Sequence, residues 1–184
     1  MTIRTFIAVE LGPIEPLVNL EQALRDTGAD LKLVEPENIH VTLKFLGPTP
    51  EDKVDEIVDI IKECSKDVSP FNLVLRGAGA FPNLNYLKVL WVGLENYEPL
   101  VPIAKCLDNS LTRLGFKAEK RGFKPHVTLA RVKTKRKKNE VKDLLLEHKS
   151  MEFAKVNVTS IKLKKSILDS SGPTYYNIGE VNLD

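Results

Sequence analysis

The sequence predicts an α+β protein of two similar lobes, with antiparallel or mixed sheets, helices on the outer faces and a cleft between the lobes. Two observations predict it. The tetrapeptide His-Val-Thr-Leu occurs at His40–Leu43 and again at His126–Leu129. Around each copy runs the same order of patterns: strand, helix, His-x-Thr strand, helix, strand. Two copies of such a unit make a bilobal domain, whereas many copies make a solenoid. The surrounding framework is in step as well, since Pro13 lies 27 residues before His40 and Pro99 lies 27 before His126. Gly28 and Gly115 follow those prolines, 12 and 11 residues before their histidines. The expected organisation is a single domain over 1–184, with repeats at about 3–84 and 87–169 and a final strand at about 174–183. A pseudo-two-fold axis between such lobes brings equivalent strands face to face.

Thr5–Leu11 is an apolar run read as a strand, after which Pro13 opens a helix with the stripe Leu17, Leu20, Leu24. His40–Leu46 is the first motif strand, ended by Gly47-Pro48. Thr49 is placed to cap the next helix, with Pro50 at its first position and Val54, Ile57, Val58 and Ile61 at helical spacing. Phe71–Leu75 and Tyr86–Leu94 read as strands joined by a turn-prone stretch, Gly77–Asn85. Leu100, Ile103, Ala104, Leu107, Leu111 and Leu114 mark an amphipathic helix, and His126–Val132 is the second motif strand. A shorter helix at Asn139–His148 turns Val141, Leu144 and Leu145 inward. Phe153–Leu168 gives one or two strands, and Ser170–Pro173 turns the chain into a last strand, Tyr175–Leu183.

A hydrophobic share of 42% and a charged share of 28% are those of an ordinary globular protein. No apolar run approaches the ~20 residues of a membrane span, and the first residues enter a strand pattern without a leader, so the expectation is a cytoplasmic protein. Cys64 and Cys106 stand alone in helical patterns, outside any Cys-x-x-Cys or Cys/His spacing, and are expected to be reduced and mostly buried. The net charge of +2 decides nothing about nucleic acid. Abundant Lys and Glu beside a single glutamine, Gln22, lean towards a thermophilic source.

The chemistry lies in the repeated tetrapeptide. Residues two apart on a strand share a face, so His40 and Thr42 point one way while Val41 and Leu43 point into the core. The same holds for His126 and Thr128 over Val127 and Leu129. Two imidazoles titrating near neutrality can supply an acid and a base, and two hydroxyls can donate to an anion. That set suits a phosphate and needs no metal. A metal site would require a third ligand, and His148 has no carboxylate or cysteine at useful spacing. A single histidine of this kind is usually structural. The matched threonine on the same face in both copies is what favours chemistry. No nucleotide-binding glycine loop is present, and no cofactor is expected.

These paired motifs, His-Val-Thr-Leu-Lys-Phe-Leu-Gly and Lys-Pro-His-Val-Thr-Leu-Ala-Arg, resemble the two-histidine phosphoesterase superfamily. The resemblance is greatest to its RNA 2′,3′-cyclic phosphodiesterase branch, also known as 2′-5′ RNA ligase-like. Arg-Thr-Phe-Ile-Ala-Val-Glu-Leu at the start and Gly79-Ala80-Phe81-Pro82 are similar to that branch too. The resemblance implies metal-independent hydrolysis of RNA 2′,3′-cyclic phosphate ends to 2′-phosphomonoesters, reversible in principle as 2′-5′ ligation. It places the proton donor on His40, the proton acceptor on His126 and the phosphate-holding hydroxyls on Thr42 and Thr128. It also matches the family's second-motif arginine to Arg131, which strict alternation would turn away from His126 unless a bulge redirects it.

Lys44 continues the polar face of the first motif, either as a solvated lysine at the cleft rim or as a phosphate contact. Phe45 either stacks a terminal base or, by alternation with Val41 and Leu43, packs in the core. From Arg131 to Lys138 six of eight residues are basic, a run that fits either a solvated loop or an RNA track. Three functions stay open at this point: the RNA cyclic phosphodiesterase, a phosphodiesterase for a small cyclic nucleotide or 2′-5′ oligonucleotide, and a non-catalytic RNA-end binder. A monomer is expected.

Overall fold

The apolar stripes read from the sequence are the faces that the helices bury. In the computed structural model, which describes residues 1–184, these helices are α1 (Glu15–Asp26), α2 (Val54–Ser65), α3 (Leu100–Arg113) and α4 (Lys138–Glu147). Leu17, Leu20 and Leu24 of α1, Ile57 and Ile61 of α2, Ile103, Leu107 and Leu111 of α3, and Val141 and Leu145 of α4 are all fully buried. They join the inward residues of the strands in one contiguous hydrophobic core. No helix is long and apolar enough to cross a membrane.

The strands are β1 (Thr2–Glu10), β2 (Leu31–Leu33), β3 (His40–Pro50), β4 (Phe71–Asn83), β5 (Tyr86–Glu95), β6 (Val127–Val132), β7 (Glu152–Val158), β8 (Ser160–Asp169) and β9 (Gly172–Asn182). The α+β expectation holds, with one refinement: all strands belong to one sheet, and every pairing is antiparallel. The order is β7-β4-β5-β6-β3-β1-β8-β9, with β2 also on β6. Two strands cross between the halves of the sequence, since β4 pairs with β5 and β8 pairs with β1. At the centre, β3 and β6 meet through a single residue pair, Val41 with Val127.

Three local expectations are corrected. Gly77–Asn85 is mostly strand, because β4 runs on to Asn83. Gly77, at φ 79°, takes up an irregularity in the ladder between Leu75 and Ala78, after which pairing resumes. The turn itself is tighter, and Asn83 Oδ1 accepts the backbone N–H groups of Asn85 and Tyr86 at 2.9 and 3.0 Å. Thr49 is the end of a long strand and does not cap α2. Its hydroxyl accepts from Thr5 Oγ1 at 2.7 Å and donates to the Gly47 carbonyl at 3.1 Å, wholly buried.

The third correction concerns the cysteines, which are joined as a Cys64–Cys106 disulfide. Helices α2 and α3 pack side by side and hold the two Cα atoms 5.5 Å apart, a separation that a disulfide spans. Forty-two residues separate the cysteines along the chain, so no short spacing motif announced the pair. Closing a loop of that length stabilises the folded state by roughly 4 kcal/mol in the chain-entropy account.

Candidate active site

The single β3–β6 pair sets the geometry of the site. Val41 and Val127 lie opposite each other and are completely buried, which points their neighbours to the other face. The four motif residues flank that one pair, His40 and Thr42 on β3, Thr128 on β6 and His126 just before it. The two imidazoles are close enough for the charge of one to act on the other.

Both rings are oriented in the same way. His40 Nδ1 donates to the Asn38 carbonyl at 2.6 Å, and His126 Nδ1 donates to the Lys124 carbonyl at 2.7 Å. A carbonyl only accepts, so Nδ1 carries the proton in the neutral ring and Nε2 is left as the working atom. His40 Nε2 lies 2.9 Å from Thr42 Oγ1, whose hydroxyl donates to the neutral ring. Aromatic side chains brace both histidines. Phe6 and Tyr175 lie 5.1 and 5.7 Å from His40 between ring centres, and Phe81 meets His126 edge-on at 5.0 Å. Trp91 backs Phe81 at 5.4 Å, pressed so closely on Gly79 that a side chain there would collide with the indole.

Burial pushes the His40 imidazole below its ordinary value of 6.5, and the charges of Lys164 and His126 act in the same direction. The Asn38 carbonyl and the Glu10 carboxylate oppose that shift without cancelling it. Glu10 is paired with His40 in the β1–β3 ladder and is bonded by Lys164 and Lys162. Burial alone would raise the Glu10 carboxyl, but those two lysines outweigh it and hold the group below the usual range. Tyr175 is pushed up by burial, while the positive charges of Arg131 and Arg4 pull against it.

Both motif strands carry a bulge at the same place. In β3 the partners jump from Thr42 to Lys44, skipping Leu43; in β6 they jump from Thr128 to Ala130, skipping Leu129. One extra residue reverses the alternation beyond it. Arg131 is accordingly exposed and near enough to Tyr175 for its charge to act on the phenol. Phe45, at the matching offset in the first motif, is 66% exposed and lines the cleft, which overturns core packing for that residue. Lys44 goes the other way. It is only 5% exposed, and it bonds the Asp108 carboxylate and the Lys117 carbonyl, so it is not a solvated rim lysine, although it lines the same cavity as Thr42 and Phe45. Burial raises the Asp108 carboxyl, yet the Lys44 ammonium and the Glu119 N–H, at 2.8 Å, outweigh it and hold it low.

Above the motifs lies a cavity of about 870 Å³, walled by β3, β5, α3 and the 119–124 segment. Thr42 and His126 line it, as do Phe45 and Phe81, with Lys88, Lys105, Arg121 and Lys124 around the margin. His40, bonded to Thr42 through Nε2, and Thr128 are outside its lining. No three His, Cys, Asp or Glu side chains converge anywhere to hold a metal ion, and His148 stacks on Phe153, on the far side of α4's end. Tyr175 and Lys164 belong to the site but carried no signal in the sequence, and Phe6 and Glu10 were visible only within the opening Arg-Thr-Phe-Ile-Ala-Val-Glu-Leu run. Phe81 was visible only within the Gly-Ala-Phe-Pro run. The assembled groups can hold an anion between two hydroxyls and move one proton on to it and one away.

Residues 16–166 match the sequence pattern of the 2′-5′ RNA ligase superfamily. A Methanothermobacter thermautotrophicus protein named RNA 2′,3′-cyclic phosphodiesterase is 36% identical over 177 residues, 95% of this chain and 96% of that one. A Methanocaldococcus jannaschii protein of the same name is 37% identical over 179 residues, 96% and 99% of the two chains. The crystal structure of TT0787 of Thermus thermophilus superposes with a TM-score of 0.81 at 27% identity, covering 98% of each chain. A match across most of the length, together with two motifs that meet at one strand pair, makes this chain a member of the 2′-5′ RNA ligase superfamily.

Proposed function

We propose that the protein hydrolyses 2′,3′-cyclic phosphate at RNA ends to a 2′-phosphomonoester, using His126 as base and His40 as acid. The observation that carries this reading is the pair of imidazoles anchored alike through Nδ1, which leaves two Nε2 atoms for one anion. The names borne by the archaeal relatives support the same substrate. Water enters beside His126, gives its proton to Nε2 and bonds to phosphorus. The P–O3′ bond breaks as His40 Nε2–H donates to the departing oxygen. The products are a 3′-hydroxyl and a 2′-phosphate, with the proton balance reversed between the histidines. Thr42 and Thr128 donate to the non-bridging oxygens, where charge gathers in the transition state. With a 5′-hydroxyl in place of water as the nucleophile on the cyclic phosphate, and the 3′ oxygen leaving as before, the same groups form a 2′-5′ bond; in water, hydrolysis dominates.

The buried His40 favours its neutral form in the empty cleft. An anionic phosphodiester within a few ångströms favours the charged form, so the substrate itself loads the acid. The low affinity of free His40 for protons also supports the exchanged roles, with His40 as base and His126 as acid. The test of the reaction is a short RNA with a 2′,3′-cyclic end, incubated with excess EDTA and resolved by chromatography and mass. A 2′-phosphate product is expected. An unchanged cyclic end, or a product with a 3′-phosphate, overturns the reading.

A further inference from the structure

A second cavity, of about 300 Å³, lies beyond the end of β6. Its floor is aliphatic, and its rim carries Lys133, Lys135 and Arg136 from the β6–α4 connection, Lys138 at the start of α4, and Lys88 and Tyr86 from β5. The size is that of a small-ligand pocket, and half of its twelve lining residues are apolar. The charge is what sets it apart. None of those five cations has a carboxylate within salt-bridge distance, and the one paired member of the basic run, Lys137, is held by Glu140 at 3.1 Å outside the rim. Like charges gathered round one hollow repel each other, and a polyanion relieves that repulsion on binding. Tyr86 is half exposed, with Lys88 Nζ 5.1 Å from its ring centre.

The hollow also adjoins the catalytic cleft. Lys88 lines both cavities. Along β6, Thr128 belongs to the second motif, Arg131 follows on the exposed side, and Val132 already lines the second hollow. The four residue steps from Thr128 to Val132 span roughly 13 Å, the scale of a short stretch of single-stranded RNA. We propose that this cavity is a second RNA subsite, which holds backbone phosphate among Lys133, Lys135, Arg136 and Lys138 and an upstream base against Tyr86. The subsite rests on the reading of the cleft as the seat of the RNA end. It makes the protein a reader of oligonucleotides rather than of small cyclic nucleotides, because a mononucleotide in the cleft cannot reach it.

The experiment compares the full chain with the combined variant Lys135→Ala, Arg136→Ala, Lys138→Ala and with Tyr86→Leu. Thermal melting first establishes that each variant is folded. Binding of a fluorescent RNA of about eight nucleotides, ending in a plain 3′-hydroxyl, is followed by anisotropy against salt. In the triple variant we expect affinity to fall at least about tenfold at low salt and the log–log salt slope to shrink by about 2, for three lost phosphate contacts. Tyr86→Leu should weaken binding with the slope unchanged, since stacking carries no charge. Turnover should fall only for an oligonucleotide with a cyclic end, and not for a nucleoside 2′,3′-cyclic monophosphate. Equal affinity and slope in the triple variant overturn the subsite, as does an equal loss on both cyclic substrates. If the unaltered protein hydrolyses neither substrate, the proposed reaction fails, and the anisotropy result still decides the subsite by itself.

Discussion

Sulfur at the 3′ bridging position leaves as a thiolate and needs no proton, so at the scale of single residues it separates the two histidine roles. His40→Ala should lose 10²- to 10⁴-fold in turnover on the ordinary cyclic end, the usual contribution of a general acid, and recover most of it on the 3′-thio substrate. His126→Ala should lose as much and recover nothing. Recovery in His126→Ala instead would exchange the roles. The pH profile tests the same pair. Activity needs His40 protonated, so it is lost as pH rises through the His40 pKa, which burial holds below 6.5 in the free protein. It also needs an unprotonated base, so it is lost at low pH. A bell-shaped kcat/KM is expected, and the alkaline limb of kcat should lie at higher pH because bound phosphate raises His40. Coincident limbs in the two profiles would count against substrate loading of the acid.

At the scale of elements, the bulges at Leu43 and Leu129 decide what each motif strand presents. Lys44, sent inward by the first of them, ties β3 to Asp108 of α3 and to the Lys117 carbonyl at the base of the cleft wall. Lys44→Met should lower stability by about 2 kcal/mol, the cost of unpairing a partly exposed charged hydrogen bond, and raise KM more than it lowers kcat. Denaturant midpoints and steady-state kinetics check both parts, and an unchanged KM would show that the wall holds its place without the tie. The histidines and threonines were legible because two-residue periodicity survives up to the bulge. Beyond it the period-two reading fails, which is why Lys44 and Phe45 exchanged places between sequence and structure while the arginine needed a redirection that the sequence could not display. The helix stripes were legible throughout, since each repeats over several turns. Thr49 was not, because a buried hydroxyl pair with Thr5 depends on a partner 44 residues away.

At the scale of the whole molecule, what the sequence hides is pairing between distant residues. The Cys64–Cys106 bond is one instance, Tyr175 against His40 another, and in each case the partners come together only through the sheet order and helix packing. The disulfide ties a helix of the first half to a helix of the second. Replacing both cysteines by serine should lower the melting temperature by roughly 10 °C, from about 4 kcal/mol spread over a domain of this size. A melting curve with and without reductant is the check, and curves that coincide would mean that the bond adds nothing. The exchange of β4 and β8 between the halves has a different consequence. Cleaving the backbone once in the Asn83–Tyr86 turn would leave two fragments, each lacking a strand that it needs and holding one that the other needs. Neither piece is self-sufficient, and neither can leave without dismantling a ladder. Even with the Cys64–Cys106 bond reduced, the nicked protein should therefore migrate as one particle and keep its histidines in register, so that continuity of the chain is required to assemble this site but not to keep it.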